Sequence, residues 1–235
     1  MDLLDRLAED PARAALFLDV DGVLAPIVLR PDDARVPEET RAELRRLRAR
    51  YALVACISGR AGVDAARIVG VPELTYVGNH GLELEDGADE WAGRLQDFLA
   101  DTAWPQIENK TLTAALHYRE SPNEAAATRE LDAIADRARA AGFVARYGRK
   151  VLELVPPIDA NKGTAVRRLL SERRLRRALY AGDDTTDLDA FHALEGLPLA
   201  VRIAVSSDEG PAQLREEADL VVADPMEFLG VLRRL

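Results

Sequence analysis

Two aspartates one residue apart close an apolar run, Ala14-Ala15-Leu16-Phe17-Leu18-Asp19-Val20-Asp21-Gly22. A run of that kind ending in Gly reads as a buried strand entering a loop, and the strand period of two puts Asp19 and Asp21 on the same side. Carboxylates that converge on one point stay ionised only where a cation or a shared proton relieves them. The pair therefore points to a metal, to acid/base chemistry, or to both. An isolated Asp-x-Asp is also an ordinary way to leave a strand, so its meaning depends on what accompanies it.

The elements that must position the pair repeat one design. The run Tyr51–Ile57 ends in Ser58-Gly59-Arg60, the run Leu74–Val77 in Gly78-Asn79-His80-Gly81, and Ala178-Leu179-Tyr180-Ala181 in Gly182-Asp183-Asp184-Thr185-Thr186-Asp187. Open parallel sheets carry their active groups in such loops, at the carboxyl ends of the strands. Between the runs, Leu44 and Leu47 lie among arginines at helical spacing, and Val166, Leu169 and Leu170 do so after Lys162. Strand alternating with helix predicts an α/β domain.

The alternation is interrupted from Glu85 to Ile158. That stretch holds an alternating segment Thr111–Arg119, a helical segment Asn123–Ala141 and a short strand Val151–Val155, which together predict a small α+β insertion. Asp86-Gly87 and Pro156-Pro157 mark its linkers, giving an expected core of residues 1–86 and 158–235 and an inserted unit of residues 87–157. In Val151-Leu152-Glu153-Leu154-Val155 the period of two sets Glu153 on the face of Val151 and Val155, an odd place for a charge unless that face meets a ligand or partner. Lys162 stands before a helix, where the macrodipole disfavours a cation, so an anion in front of that helix would offset its placement.

Asp19-Val20-Asp21-Gly22, Ser58, Lys162 and Gly182-Asp183-Asp184 resemble, in order, the four motifs of haloacid dehalogenase-like phosphohydrolases. Ile57-Ser58-Gly59-Arg60, Gly78-Asn79-His80-Gly81-Leu82-Glu83, Glu108-Asn109-Lys110, His117-Tyr118-Arg119, Leu152-Glu153-Leu154 and Gly182-Asp183-Asp184-Thr185-Thr186-Asp187 are similar, more narrowly, to trehalose-6-phosphate phosphatases. The resemblance implies a Rossmann-like parallel-sheet core with an inserted small α+β cap. It also implies magnesium-dependent hydrolysis of trehalose 6-phosphate. Asp19 is then the nucleophile and Asp21 the acid that protonates the departing sugar oxygen. Asp183 is implied to ligate Mg2+ with Asp19 and the backbone carbonyl of Asp21, with Asp184 and Asp187 orienting waters or Lys162 from behind. Ser58, Gly59 and Lys162 are implied to hold the phosphate, and Glu108, Lys110 and Glu153 to grip sugar hydroxyls. Arg60, Asn79, His80, His117 and Arg119 are further candidates for substrate contact. Val23, Asn109 and Leu188 depart from the family pattern at positions where Thr, Asp and Glu are usual.

Composition sets the outer bounds. With 235 residues, 48% of them hydrophobic, the chain is long enough for one large domain or two modest ones with a proper core. A net charge of -10 argues against nucleic acid, whose partners carry a basic footprint. The arginine clusters of residues 41–50 and 167–177 sit among leucines and read as solvated helix faces. The lone cysteine, Cys56, lies in an apolar run and reads as a buried small hydrophobe. No apolar run is long enough for a membrane span, and acids at Asp2, Asp5, Glu9 and Asp10 stand where a signal peptide would have basic residues. A reducing, cytoplasmic setting is expected, with a small sugar phosphate as partner, and with any trehalose-phosphate synthase on a separate chain.

Overall fold

The computed structural model describes residues 2–28, 30–148, 150–206 and 210–235. In chain order they form α1 (Leu3–Ala8), β1 (Ala15–Leu18), α2 (Glu38–Arg50), β2 (Leu53–Ile57), α3 (Gly62–Val69) and β3 (Thr75–Val77). Next come α4 (Ala88–Ala100), β4 (Ile107–Asn109), β5 (Ala114–His117), α5 (Glu124–Ala140), β6 (Val144–Gly148) and β7 (Val151–Val155). The chain ends with α6 (Lys162–Arg173), β8 (Arg177–Gly182), α7 (Asp187–Ala193), β9 (Leu199–Val205), α8 (Ala212–Glu217), β10 (Leu220–Val222) and α9 (Pro225–Arg234). These elements fall into two compact units, Met1–Gly81 with Ala160–Leu235, and Leu82–Asp159.

The first unit is built on a six-stranded parallel sheet of order β10-β9-β8-β1-β2-β3. Every residue of β1 and β2 is buried, which is why these strands read as unbroken apolar runs: a parallel sheet is covered on both faces. Leu16 and Leu18 join one apolar cluster with Leu44 and Leu47 of α2 and Phe228 of α9. On the opposite face, Tyr180 of β8 meets Phe191 of α7 edge-on at 6.1 Å between centroids. From β1 the strands step outward through β2 and β3, and from β8 they step the other way through β9 and β10. The reversal lies between β1 and β8, the switch point at which open α/β sheets bind ligands. Strands β9 and β10 complete a sheet of which sequence had marked four members.

The second unit is a four-stranded antiparallel sheet of order β4-β5-β7-β6. One face packs Ala114, Leu116, Leu152 and Leu154 against Leu95 of α4 and Leu131, Ile134 and Ala135 of α5. Trp91 caps Phe143 edge-on at 5.1 Å. Helix α5 starts where Asn123 accepts a hydrogen bond from the Ala126 amide at 3.0 Å, satisfying one of its open amides. The arginines of α2 are less free than solvated faces imply. Arg41 donates to the Ile68 carbonyl at 3.3 Å and Arg48 to that of Glu73 at 3.0 Å, while Arg45 pairs with Glu38 at 2.8 Å.

Candidate functional site

At the carboxyl ends of the parallel strands, the Asp19 amide still donates to the Ala181 carbonyl at 2.9 Å, extending the ladder of β1 and β8 by one residue. Its carboxylate is thereby held against β8. Oδ1 accepts from the Val20 amide at 2.7 Å, and Oδ2 meets Lys162 Nζ at 2.8 Å. Lys162 is the first residue of α6, behind the Asn161 cap, and is 2% exposed. Its second partner is Asp187 Oδ1 at 2.7 Å. The anion in front of this helix is thus a pair of carboxylates from the chain itself.

Asp187 is fully buried and fully engaged. Oδ1 also accepts from the Tyr180 hydroxyl at 2.6 Å, and Oδ2 accepts the amides of Asp183 and Asp184, both at 2.9 Å. One carboxylate therefore fixes both the lysine and the loop that presents Asp183. The Asp184 side chain turns outward to its own loop, accepting from the Thr185 amide at 2.6 Å, so the support of Lys162 comes from Asp187 and not from Asp184. Gly22 has φ +79°, and a Cβ there would lie 2.1 Å from Asp183 Oδ2. The turn after the first aspartates must therefore be glycine to let that carboxylate in.

Burial raises Asp19 to about 7 against the pull of Lys162, with the Asp187 charge adding to the rise. Burial, and then the charges of Asp19 and Asp187, raise Asp183 to about 8. For Lys162 burial opposes the charge, yet Asp187 and Asp19 hold its pKa above the ordinary lysine value. Asp19, Asp183 and Asp187 each offer an oxygen within 4.8 Å of the others. Three crowded carboxylates against one ammonium leave negative charge uncompensated, and the donors are all oxygen, so the site fits a hard divalent cation. Asp187 already accepts four hydrogen bonds, which leaves Asp19 and Asp183 as the carboxylates suited to hold it.

Asp21 does not share this pocket's pairing. It lies beyond the strand, in a turn closed by the Gly22 amide on the Ala25 carbonyl at 2.8 Å. Arg60 Nε and Nη2 grip its two oxygens at 2.6 and 2.8 Å. Arg60, expected at the substrate side, thus holds the carboxylate assigned to proton transfer. Ser58 is 1% exposed at the end of β2, its Oγ accepting from the Arg60 amide at 3.2 Å, which leaves its proton to donate. Asn79 and His80 both take positive φ, 51° and 56°, and the His80 amide bonds the Ser58 carbonyl at 2.9 Å. A Cβ on Gly59 would fall 2.6 Å from the His80 ring, so that ring lies against the Ser58-Gly59-Arg60 backbone.

In the second unit the registers pair Glu108 with Ala115, Ala115 with Glu153, and Glu153 with Arg146. Glu108 is approached by His117 Nε2 at 3.1 Å and Lys110 Nζ at 3.9 Å. Glu153 accepts from Arg146 Nε at 2.8 Å, so its charge on a strand with two valines is answered first by a neighbouring strand. Arg119 lies past the end of β5, exposed, and forms no hydrogen bond or ion pair with this group among the described residues.

The sequence profile described as trehalose-phosphatase matches residues 17–225, a stretch that contains every group above. The chain belongs to the trehalose-phosphatase family. It is similar to the trehalose-phosphate phosphatase of Mycobacterium avium (strain 104), 36% identical over 85% of this chain and 57% of that one. The chain thus spans little more than half the length of that curated relative. Among solved structures it is similar to a trehalose-6-phosphate phosphatase related protein, with a TM-score of 0.69, 26% identity and coverage of 93% and 95% of the two chains. It is also similar to the Aspergillus fumigatus trehalose-6-phosphate phosphatase, with a TM-score of 0.61, 28% identity and coverage of 99% and 96%.

Within this trehalose-phosphatase fold the departures from pattern are mild. Val23 is fully buried in the apolar cluster and Leu188 is 9% exposed, so both exchange a polar group for packing. Asn109 accepts the Thr111 amide at 2.8 Å and shapes the hairpin after β4. Two residues with direct contacts to the site carried no signal in sequence. Tyr180 was one apolar-strand residue among several, and Arg146 lies in an edge strand without hydrophobic alternation.

Proposed function

We propose that the chain is a magnesium-dependent phosphatase that hydrolyses trehalose 6-phosphate to trehalose and inorganic phosphate through an aspartyl-phosphate. The observation that carries this reading is the buried cluster of Asp19, Lys162, Asp183 and Asp187 at the switch point of the parallel sheet, in a chain of the trehalose-phosphatase family. Asp19 attacks phosphorus, and its oxygen is aimed by Lys162 and the Val20 amide. Asp21 protonates the departing sugar oxygen and later takes a proton from the attacking water. Asp19, Asp183 and the backbone carbonyl of Asp21 would hold magnesium, which would supply positive charge at the phosphate. Ser58, the Gly59 backbone and Lys162 bind phosphate. Residues 87–157 act as the cap, in which Glu108, Lys110 and Glu153 accept and donate hydrogen bonds to sugar hydroxyls.

Cys56 is a buried free thiol, and no helix among the described residues is long and apolar enough to cross a membrane; both features suit the cytoplasmic setting we propose. Other sugar phosphates, such as sucrose phosphate or mannosyl phosphoglycerate, are the first alternative substrates. A phosphomutase would use the same aspartyl-phosphate but pass it to a sugar hydroxyl, and a regulatory binder would need no nucleophile. Phosphate release from a panel of sugar phosphates, with and without magnesium, separates these readings. Magnesium-dependent release that is fastest from trehalose 6-phosphate is the expected outcome, and a flat substrate profile overturns the trehalose assignment.

A further inference from the structure

The four residues Glu108, Ala115, Glu153 and Arg146 stand in register on β4, β5, β7 and β6, so their side chains share one face and form a single rung across the sheet. That face is the one opposite the apolar cluster, since Leu116, Leu152 and Leu154 point into the cluster from the alternate positions. Two strand spacings separate Glu108 from Glu153, roughly 10 Å between their Cα atoms. Between them Ala115 contributes a methyl group and no donor. Each carboxylate is therefore held by something else: Glu108 by His117 and Lys110, Glu153 by Arg146.

The Arg146 contact is a single donor, Nε, onto Oε2 of Glu153, from an edge strand and with 59% of the arginine side chain exposed. Such a pair fixes the rotamer of a long, flexible glutamate. A carboxylate fixed in advance binds a hydroxyl without first losing that freedom, so pre-ordering raises affinity. The guanidinium also offsets charge beside two carboxylates that would otherwise repel an anionic substrate. We propose that Arg146 is a positioning residue for sugar recognition, holding Glu153 at the distance from Glu108, across the Ala115 methyl, at which both carboxylates engage the hydroxyls of one sugar phosphate. The proposal rests on the reading of Glu108 and Glu153 as sugar contacts and extends it to residues outside every motif.

Steady-state kinetics of the full chain with magnesium test it, with trehalose 6-phosphate and p-nitrophenyl phosphate as substrates and with the variants Arg146→Met, Arg146→Lys, Ala115→Val and Glu153→Gln. Arg146→Met is expected to raise KM for trehalose 6-phosphate by up to about fivefold, the most that one exposed, water-screened pair supplies, with kcat nearly unchanged. Arg146→Lys restores part of that loss, Ala115→Val raises the same KM, and p-nitrophenyl phosphate is turned over as by the parent. A raised KM in Glu153→Gln with a parental KM in Arg146→Met overturns the positioning role and leaves the sugar reading intact. A silent Glu153→Gln overturns the sugar reading itself, and the role of Arg146 with it. Equal losses on both substrates, accompanied by a lower Tm, also overturn the proposal, because they assign the rung to stability alone.

Discussion

At the ends of the parallel strands, Asp19, Lys162, Asp183 and Asp187 are all 7% exposed or less, whereas on the antiparallel sheet the Glu108, His117, Glu153 and Arg146 side chains keep 33% to 59% of their surface in water. Both groups hold charges at hydrogen-bond distance, yet the consequences differ. In the buried group every carboxylate oxygen that accepts a bond does so where water cannot replace the donor, and burial pushes Asp19 up to about 7 and Asp183 up to about 8. On the exposed rung water screens the pairs, and such pairs are worth about 0–1 kcal/mol. Chemistry that needs fixed charge is suited to the first setting. Recognition that must open and close around a soluble ligand is suited to the second.

The sharpest way to break this division is at the nucleophile. Asp19→Asn keeps the shape of the side chain but cannot attack phosphorus, so phosphate release is expected to vanish while circular dichroism and Tm show a folded protein. Residual turnover within about tenfold of the parent, a barrier change of ~1.4 kcal/mol, would rule out Asp19 as the covalent centre. Asp21→Asn is expected to lose a factor of roughly 10²–10⁴ through proton transfer.

Removing a supporting charge from each region gives the next largest contrast. Asp187→Ala leaves Lys162 with Asp19 alone, strands the Tyr180 hydroxyl, and leaves two loop amides without their acceptor. Breaking a buried pair of this kind costs about 3–5 kcal/mol. Glu153→Ala breaks only the exposed pair with Arg146, at a cost of about 1 kcal/mol or less. Urea denaturation of the two variants measures both, and comparable losses would show that burial does not separate the two groups.

How far this division was legible beforehand depended on what each element surrounds. Strands β1, β2 and β8 are covered on both faces, so they appear as apolar runs, and a charge at the end of such a run is conspicuous; Asp19 and Asp183 were therefore visible. Strand β6 is an edge strand whose residues are mostly exposed, so it lacks the alternation that marks a strand, and Arg146 was hidden with it. Strand β4 is three residues long and carries Glu108 and Asn109. The pairing of Asp21 with Arg60 joins residues 39 apart in sequence, which no local pattern reveals. Asp187 was implied as a support for waters or Lys162, but its hold on the amides of the Asp183 loop was not legible. Arg119 illustrates the reverse: its motif was plain, and its side chain stands apart from the rung.

Titration of the buried group supplies a third test. Asp19 and Asp183 move from 3.8 to about 7 and about 8, so between those limits the folded chain binds more protons than the unfolded one. Stability must then fall as pH rises through that window, while the raised pKa of Lys162 leaves its contribution fully present there. Without metal, Tm is expected to decline from about pH 5 to about pH 8. A cation bound by the ionised carboxylates stabilises the fold by about 2.7 kcal/mol at a hundred times its Kd, so added magnesium lifts Tm more at the upper pH than at the lower. A flat profile, or equal increments at both pH values, would mean that the carboxylate crowding has been misjudged.

The smallest effect isolates burial from chemistry by deleting the same atom in both regions. Tyr180 donates to Asp187 Oδ1 at 2.6 Å in the core, and Tyr147 donates to Asp132 Oδ1 at 2.8 Å on the surface of the second unit. Phenylalanine preserves each ring, including the edge contact of residue 180 with Phe191. A typical intramolecular hydrogen bond contributes about 0.5–1.5 kcal/mol, and a bond to a charged group lies at or above the upper end of that range. In Tyr180→Phe the oxygen that also holds Lys162 loses its second donor, so Lys162 and, through it, Asp19 gain freedom. Stability is expected to fall by about 1.5 kcal/mol or more and kcat several-fold, a barrier rise of about 1 kcal/mol, with KM for trehalose 6-phosphate unchanged. Tyr147→Phe is expected to alter neither stability nor kcat measurably, because water replaces the lost hydroxyl. Should the two variants behave alike, the buried carboxylate would be indifferent to its donors, and the ordered delivery of charge to Asp19 would have to come from Lys162 alone.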